Sequence, residues 1–225
     1  MKHIPILFST AMVQAILDGR KTQTRRGIKT ADIIDTPDRF KYVGNTKTNL
    51  DLPHPADDIG RIWHCWELKN SNAKTWIDYC PYGQPGDVLW VRETWAKNEI
   101  PTGWPYHYMT DNDLPEVMTW KPSIHMPKAA CRMWLRVTNV RVERLQDISE
   151  DDAKAEGVEK HAHGFKIYTP ETPSNVGVYD ACFRSPKDSF ESLWHKINGE
   201  ESWAANPWVW VIEFEPCEMP EGFLT

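Results

Sequence analysis

Three segments of the chain are predicted to be helices, the first and third from apolar residues at helical spacing and the second from its capping residues. The first begins after the capping residues Ser9 and Thr10 and ends before Gly19, and the second lies between Ser149 and Gly157. Serine and threonine favour helix N-termini, and glycine is common just after a helix ends. In the third segment, residues 187–198, the apolar stripe consists of Phe190, Leu193, Trp194 and Ile197. This stripe predicts packing against the core rather than a cofactor site.

Four other stretches predict β-strands, because they are rich in β-branched and aromatic residues or alternate between apolar and polar positions. They are residues 4–8, 88–95, 133–145 and 208–215. In the third stretch the alternation places Trp134, Arg136, Thr138 and Val140 on one face and Leu135, Val137, Asn139 and Arg141 on the other. The helices are few and do not alternate regularly with the strands along the chain. This order predicts an α+β fold: a small, mostly antiparallel β-barrel with flanking helices.

Three long segments, near residues 27–73, 96–128 and 158–186, are irregular in pattern and contain many prolines. We interpret them as long loop insertions in a single domain that spans residues 1–225. The second segment is also rich in aromatic residues, and a connection of this length often forms a lid or a binding wall. The tail from Pro216 onward is predicted to be loosely attached.

The overall charge limits the classes of partner. A net charge of -6 and a pI of about 5.8 argue against a protein that coats nucleic acid, because such proteins usually carry a basic face. The 5 cysteines include no C-x-x-C pair, so they indicate neither a disulfide framework nor a zinc ribbon and fit a reducing compartment. Without the apolar run of a signal peptide or a membrane span, the chain is predicted to be cytoplasmic, with no membrane association.

The densest cluster of reactive side chains follows the first helix, in the segment Gly-Arg-Lys-Thr-Gln-Thr-Arg-Arg of residues 19–26. A basic cluster at this place is often a solvated face that complements the helix dipole. The chemical alternative is a threonine nucleophile, which needs a base to remove its proton. Lys21 suits that role if its pKa is lowered, either by desolvation or by nearby cations, which disfavour a protonated amine. The candidate cations are Arg20, Arg25 and Arg26.

Two acids attract interest for different reasons. Glu156 falls in the last turn of the second helix, where a carboxylate opposes the helix dipole, and this misfit makes it a functional candidate. Glu93 and its neighbour Arg92 lie at the exit of the strand predicted over residues 88–95. They either line a cleft or form an exposed ion pair, which is the commoner explanation for such neighbours.

Metal ligands are poorly represented in the sequence. His64 and Cys65 are adjacent, so they point to different sides of the chain, and no partner pair has suitable spacing. His161 and His163 have a more ligand-like spacing but no matching cysteine or carboxylate motif. We therefore expect neither a metal nor a cofactor.

The segment of residues 19–26 fits the pattern G-x-K-x-x-T-x-R. Three further pieces match the same family as this segment: the stretch 86–91, the helix 149–157 and the closing strand 209–215. Together with the segment 19–26 they span most of the chain. These pieces resemble the ASCH-domain family of the PUA-like superfamily. Residues 92–95 and 206–210 resemble the longer members that bacteriophages often carry.

This resemblance implies a closed PUA-like barrel with a helix across a cleft. It also implies an amidohydrolase that removes the acyl group from N4-acetylcytidine-like nucleosides, giving cytidine and a carboxylic acid. By motif match the implied catalytic residues are Lys21, Thr24 and Glu156. The predicted substrate-binding residues are Arg26, Arg92, Glu93 and Trp95. The predicted partner is a small modified nucleoside, with RNA as an alternative.

In the implied mechanism Lys21, kept neutral by its cationic surroundings, deprotonates Thr24, whose oxygen attacks the amide carbonyl. Water then hydrolyses the acyl-enzyme. Glu156 orients Lys21 or passes a proton to the departing amine. Because a nearby carboxylate raises the pKa of a lysine, either Lys21 or Glu156 is the operative base.

Two functions of other classes stay open on the sequence alone. One is a non-catalytic protein that binds RNA or a modified base, as PUA-like domains often do, and the other is a ribonuclease that uses the same basic segment. An acidic protein can still hold a single flipped base by stacking and edge hydrogen bonds. A steep loss of affinity with rising salt would identify a polymer binder.

Overall fold

The computed structural model of the protein describes residues 1–29, 40–47, 62–68, 75–98, 104–112, 114, 118–169 and 182–224. Within residues 40–47, 62–68 and 75–78 it describes the backbone and the side chains of Tyr42 and His64. Helices and strands both occur, which confirms the predicted α+β class.

A five-stranded sheet forms the centre of the fold. In spatial order its strands are β1 (His3–Leu7), β6 (Val88–Arg92), β9 (Trp134–Arg144), β12 (Trp208–Cys217) and β2 (Gln23–Gly27), numbered in chain order. β1 and β6 are parallel and the other three pairs are antiparallel, so the predicted mostly antiparallel pairing is confirmed. The pairings among the described residues end at β1 and β2, which makes this an open sheet in that part of the chain.

Helices cover both faces of this sheet. They are α1 (Thr10–Leu17), α2 (Glu150–Ala155), α3 (Pro186–Asn198) and α4 (Glu201–Ala204). The predicted caps are present: the hydroxyl of Ser9 accepts from the amide of Met12 at 3.4 Å, and that of Ser149 from the amide of Asp152 at 3.1 Å. None of these described helices is long and apolar enough to cross a membrane.

Alternation along β12 divides the core between the two faces of the sheet. Trp210 and Ile212 pack on one face with residues of α1, whereas Val209 and Val211 pack on the other with residues of α2, α3 and α4. The α1 face also holds Phe8, which is 2% exposed and follows β1 directly. The sheet is therefore buried on both faces, as a central layer requires.

A β-bulge in β9 corrects the predicted alternation of that strand. Glu213 pairs with Asn139 and Phe214 with Val137, so Thr138 is an extra residue without a partner in β12. Leu135 and Val137 are buried before the bulge, and Val140 and Val142 after it, all in the same cluster. The bulge thus keeps both halves of the strand facing the α1 side.

The prediction that the segment near residues 27–73 is irregular is wrong, because this segment contains strands. β3 (Phe40–Lys47) pairs with β4 (Ile62–Leu68), which pairs in turn with β5 (Thr75–Asp78). The Tyr42 hydroxyl hydrogen-bonds to Nδ1 of His64 at 2.8 Å, and the His64 ring meets the ring of Trp210 edge-on at 4.7 Å. These aromatic contacts attach the three-stranded sheet to the main core.

The predicted loose tail is also corrected. Phe223 is only 1% exposed, and its ring lies 5.6 Å from that of Trp134 and 6.0 Å from that of Trp90. It belongs to a third buried cluster, which also contains residues of β7 (Trp95–Lys97) and β8 (Tyr106–Tyr108). β8 lies within the segment 96–128, and β7 lies at its beginning. Burial of one large aromatic side chain explains why the tail is attached.

Candidate active site

The turn after α1 fixes the position of Lys21. The chain reverses at Gly19, whose φ of 71° lies in the left-handed region that favours glycine. The amides of Arg20 and Lys21 then both donate to the carbonyl of Ala15, at 2.8 and 2.9 Å. Lys21 consequently enters the fold beside α1, with a side chain that is 0% exposed.

The end of α2 delivers Glu156 to the same place. Glu156 is the C-cap of α2, and Gly157 follows with a φ of 89°. A Cβ at Gly157 would lie 2.8 Å from Cβ of Lys21 and 2.9 Å from that of Ala15, so only glycine allows this approach. The amide of Thr22 donates to the carbonyl at the end of α2 at 2.9 Å, which holds the two segments together.

Lys21 and Glu156 form a buried ion pair with two hydrogen bonds. The Lys21 Nζ donates to the backbone carbonyl of Glu156 at 2.8 Å and to its Oε2 at 3.0 Å. Burial lowers the pKa of Lys21, because a low-dielectric environment disfavours its charged form. Glu156 acts in the opposite direction, and Arg26 and Arg25 add to the lowering.

Of the two causes that the sequence leaves open for a lowered pKa of Lys21, desolvation and neighbouring cations, desolvation by burial is the larger. The arginines contribute less than burial does. Arg20 lies apart from the pair: its guanidinium donates to Asp18 at 2.8 Å and to the carbonyl of Gly157 at 2.7 Å. The opposing effect of Glu156, anticipated from the sequence, is present but is outweighed.

Arg25 connects Glu156 to two further carboxylates. Its side chain is 0% exposed and lies 3.2 Å from Oε1 of Glu156, 2.9 Å from Glu143 and 3.3 Å from Asp152. Burial alone would raise the pKa of Asp152, but Arg25 and other partners lower it below its ordinary value. Because Arg25 holds one oxygen of Glu156, the other oxygen is left for Lys21.

Replacing Arg25 by methionine is expected to lower the free energy of unfolding by about 3–5 kcal/mol, since three carboxylates lose a buried cation. Equilibrium denaturation in urea measures this change. Lys154→Met, which removes an exposed partner of Asp151, is the control and should change stability little. Equal effects of the two variants would show that the Arg25 network does not hold the site.

A cavity of about 190 Å³ opens beside this pair. Three predicted site residues line it: Thr24, Arg26 and Glu156. Lys21 does not line the cavity, but its amine donates a hydrogen bond to Glu156, which does. Drug-sized ligands usually occupy pockets of about 300–1,000 Å³, so this cavity is small enough to enclose only part of a nucleoside-sized substrate.

The guanidinium of Arg26 forms part of the cavity wall between two aromatic rings. It lies 5.4 Å from the ring centroid of Phe8 and 5.8 Å from that of Tyr82. Its NH2 group donates to the carbonyl of Leu7 at 2.7 Å, and its buried Nε has no hydrogen-bond partner among the described residues. Arg26 thus brings a fixed positive charge to the cavity.

Thr24 lies in β2 opposite Ile212 of β12 and is 2% exposed. Side chains alternate along a strand, so Thr24 and Arg26 share one face of β2 while Arg25 points to the other. No hydrogen bond within the described part of the chain joins the Thr24 hydroxyl to Lys21. Catalytic hydrogen bonds are often long without substrate and tighten when it binds.

The other three predicted substrate-binding residues do not line this cavity. Glu93 is 1% exposed, and both its carboxylate oxygens accept from Arg132 at 2.9 Å. Trp95 is packed in the third cluster, with the Nζ of Lys121 5.1 Å from its ring. Arg92 donates to the carbonyl of Ile124. Glu93, Trp95 and Arg92 are thus held by an ion pair, by aromatic packing and by a backbone hydrogen bond, all outside this cavity.

The histidines that were weighed as metal ligands have other surroundings. His64 is buried against Tyr42, and the side chain of Cys65 lies outside the described residues. His161, in the hairpin of β10 (Lys160–His161) and β11 (Gly164–Phe165), lies 3.9 Å from Glu159. Among the described residues no three histidine, cysteine or acidic side chains gather as metal ligands.

The sequence did not identify the residues that complete the cavity. They include Met12 of α1, Tyr82 of the turn before β6, and Phe190, Leu193, Trp194 and Ile197 of α3, and the lining also contains Arg25, Gly27, Lys29 and Asn198. The α3 stripe was assigned to the core alone, yet Ile197 is 51% exposed. The sequence carries no signal for this second role, because the spacing of the stripe does not show which of its residues are exposed.

Comparisons of the chain with protein-family models, with curated proteins and with solved structures found no match.

Proposed function

We propose that this protein is an amidohydrolase that removes the acyl group from N4-acylated cytosine nucleosides, releasing the nucleoside and a carboxylic acid. One observation carries the proposal. A buried lysine whose pKa is lowered by burial is hydrogen-bonded to Glu156, and Glu156 shares a cavity with Thr24 and Arg26. This combination supplies a base, a nucleophile and a cation for a developing oxyanion.

We further propose that the chain is an ASCH-domain protein with a PUA-like fold. The central sheet, mostly antiparallel with helices on both faces, supports this assignment. So does the meeting of the G-x-K-x-x-T-x-R segment with the helix that ends at Glu156, although the two are 135 residues apart. A closed barrel would require pairings beyond those of the described strands.

The first half of the reaction forms an ester on Thr24. Neutral Lys21 donates its two N–H groups to Glu156 and keeps a lone pair that takes the proton of the Thr24 hydroxyl. The Thr24 oxygen attacks the amide carbonyl carbon, and Arg26 stabilises the oxyanion. The bond from this carbon to N4 breaks as the ammonium of Lys21 returns its proton to the departing cytosine amine.

The second half restores the enzyme. Lys21 takes a proton from water, and the resulting hydroxide attacks the carbonyl carbon of the ester. The carbon–oxygen bond to Thr24 breaks, and Lys21 returns the proton to the Thr24 oxygen, so the carboxylic acid leaves. Glu156 keeps the amine of Lys21 in place and stabilises its transient positive charge through the hydrogen bond at 3.0 Å.

Incubation of the purified protein with N4-acetylcytidine, followed by chromatography, tests the proposal. We expect release of cytidine with and without a chelator, and a loss of orders of magnitude in Thr24→Ala. Thr22→Ala is the matched control, because Thr22 is exposed and two positions away in the same segment. Near wild-type turnover by Thr24→Ala would refute the covalent route.

The salt dependence separates hydrolysis from RNA binding. Turnover of an uncharged nucleoside should change little between 50 and 200 mM salt, whereas a protein that makes many phosphate contacts loses about 10³–10⁵ in affinity over this range. Failure to release cytidine from any N4-acyl compound, combined with steeply salt-dependent RNA binding, would replace the amidohydrolase by an RNA-binding protein.

A further inference from the structure

The cavity beside Glu156 has two chemically different walls. One wall is polar and includes Thr24, Arg25, Arg26 and Glu156, and Lys29 and Asn198 add further polar groups to the lining. A second wall is apolar and comes mainly from α3, with Met12 of α1 also lining the cavity. Four residues of α3 line it at helical spacing: Phe190, Leu193, Trp194 and Ile197. A substrate in this cavity therefore meets polar and apolar surfaces at the same time.

The two walls fix which part of the substrate lies where. The ring of cytosine carries polar groups along its edge, and these would lose hydrogen bonds against an apolar wall. The base therefore belongs on the side of Arg26 and Tyr82, because Arg25, the cation beside Phe190, is already paired with Glu143, Asp152 and Glu156. With the scissile carbonyl at Thr24, the acyl group is then left to face α3.

The apolar wall is longer than an acetyl group needs. Phe190 and Ile197 are separated by seven residues of helix, which corresponds to about 10 Å at 1.5 Å per residue. The methyl of an acetyl group extends about 1.5 Å beyond the carbonyl carbon. The wall also changes from buried to open along this length, since Phe190 is 3% exposed and Ile197 51%.

We propose that the α3 wall is a binding site for the acyl chain and that the preferred substrates carry linear acyl groups of about four to eight carbons. This inference rests on the proposed amidohydrolase function and specifies its substrate class. Leu193 and Ile197 determine the chain-length preference, because they are the half-buried and exposed residues along the open end of the wall.

A series of N4-acylcytidines with acetyl, butyryl and hexanoyl groups tests the preference. Each methylene that leaves water adds up to about fourfold to kcat/KM, and about twofold where the chain stays half-exposed. We therefore expect the hexanoyl compound to exceed the acetyl compound by about 16-fold or more. In Ile197→Asn this ratio should fall severalfold, because a polar side chain replaces part of the wall.

Leu17→Asn is the matched control. Leu17 is 52% exposed, close to the 51% of Ile197, but it lies at the end of α1 and is not part of the cavity wall. Its replacement should leave the ratio of hexanoyl to acetyl turnover unchanged. An equal fall in both variants would overturn the assignment of Ile197 to the acyl site.

Binding of N4-ethylcytidine and N4-hexylcytidine separates the acyl site from the hydrolase function, because these compounds have no carbonyl to hydrolyse. Calorimetry should give tighter binding of the hexyl compound in the wild type and a smaller difference in Ile197→Asn. Chain-length-dependent binding without turnover of any acyl compound would keep the site and refute the amidohydrolase. Acetyl turnover with no chain-length effect in either assay would refute the site and keep the amidohydrolase.

Discussion

Replacing Lys21 by methionine is expected to lower kcat/KM for N4-acetylcytidine by about 10²–10⁴, the usual contribution of a general base. Methionine matches the buried stem of Lys21 but has no lone pair of comparable basicity to take the proton of Thr24. The fold should persist, because Glu156 keeps its ion pair with Arg25 at 3.2 Å. Circular dichroism and the unfolding midpoint check this.

The pH profile distinguishes a base from a merely structural lysine. Burial lowers the pKa of Lys21, so its neutral form becomes populated below the ordinary lysine value of about 10.4. Wild-type kcat/KM should therefore rise with pH as Lys21 loses its proton and then reach a plateau. The residual activity of Lys21→Met should not follow this rise.

The variant Lys21→Arg is compared with Lys21→Met to distinguish Lys21 from Glu156 as the base. Arginine retains a positive charge and hydrogen-bond donors toward Glu156, but it stays protonated at any pH used for the assay. Loss of turnover in both variants supports a base at position 21. Retention of turnover in Lys21→Arg would assign the proton transfer to Glu156 instead.

The helices and central strands could be predicted because their signals are local. Ser9, Ser149 and Gly157 mark helix ends through hydrogen bonds and backbone angles within a few residues. The strand β6 (Val88–Arg92) is buried along its length and reads as an apolar run after a turn. Such features depend little on the rest of the fold.

Features that depend on distant partners were missed. The bulge at Thr138 is defined by pairing with Glu213 and Phe214 of β12, far away in the sequence, whereas the alternation predicted from the sequence continues regularly through this position. Phe223 is buried only because the rings of Trp90 and Trp134 surround it. β3 and β4 join the core through Tyr42 and His64, whose contact cannot be read from local periodicity.

Some residues of the candidate site could likewise be predicted from the sequence, and others could not. The sequence singled out Lys21, Thr24 and Glu156, and the structure brings Lys21 into contact with Glu156 and places Thr24 in the adjoining cavity. It did not single out Arg25 as the residue that holds Glu156, because the three arginines of the segment cannot be distinguished on the sequence alone. Strand alternation separates them, since Arg25 faces α2 and Arg26 faces Phe8.

The contact between Lys21 and the end of α2 depends on Gly157 having no side chain. In Gly157→Ala the new Cβ would meet Cβ of Lys21 at 2.8 Å and Cβ of Ala15 at 2.9 Å, on a residue with a φ of 89°. The left-handed conformation costs about 1–2 kcal/mol, and overpacking a close contact about 1–3 kcal/mol. We expect a loss of about 2–5 kcal/mol in the free energy of unfolding, measured by urea denaturation.

Gly19→Ala isolates the packing contribution. Gly19 also follows a helix C-cap with a positive φ, 71°, but a Cβ there would meet nothing within 4 Å. This variant should lose only the conformational part, about 1–2 kcal/mol. Because backbone strain is common to both, the excess loss in Gly157→Ala measures how tightly the end of α2 is held against Lys21. Equal losses would show that this contact is loose, and Glu156 would then need another means of reaching the amine.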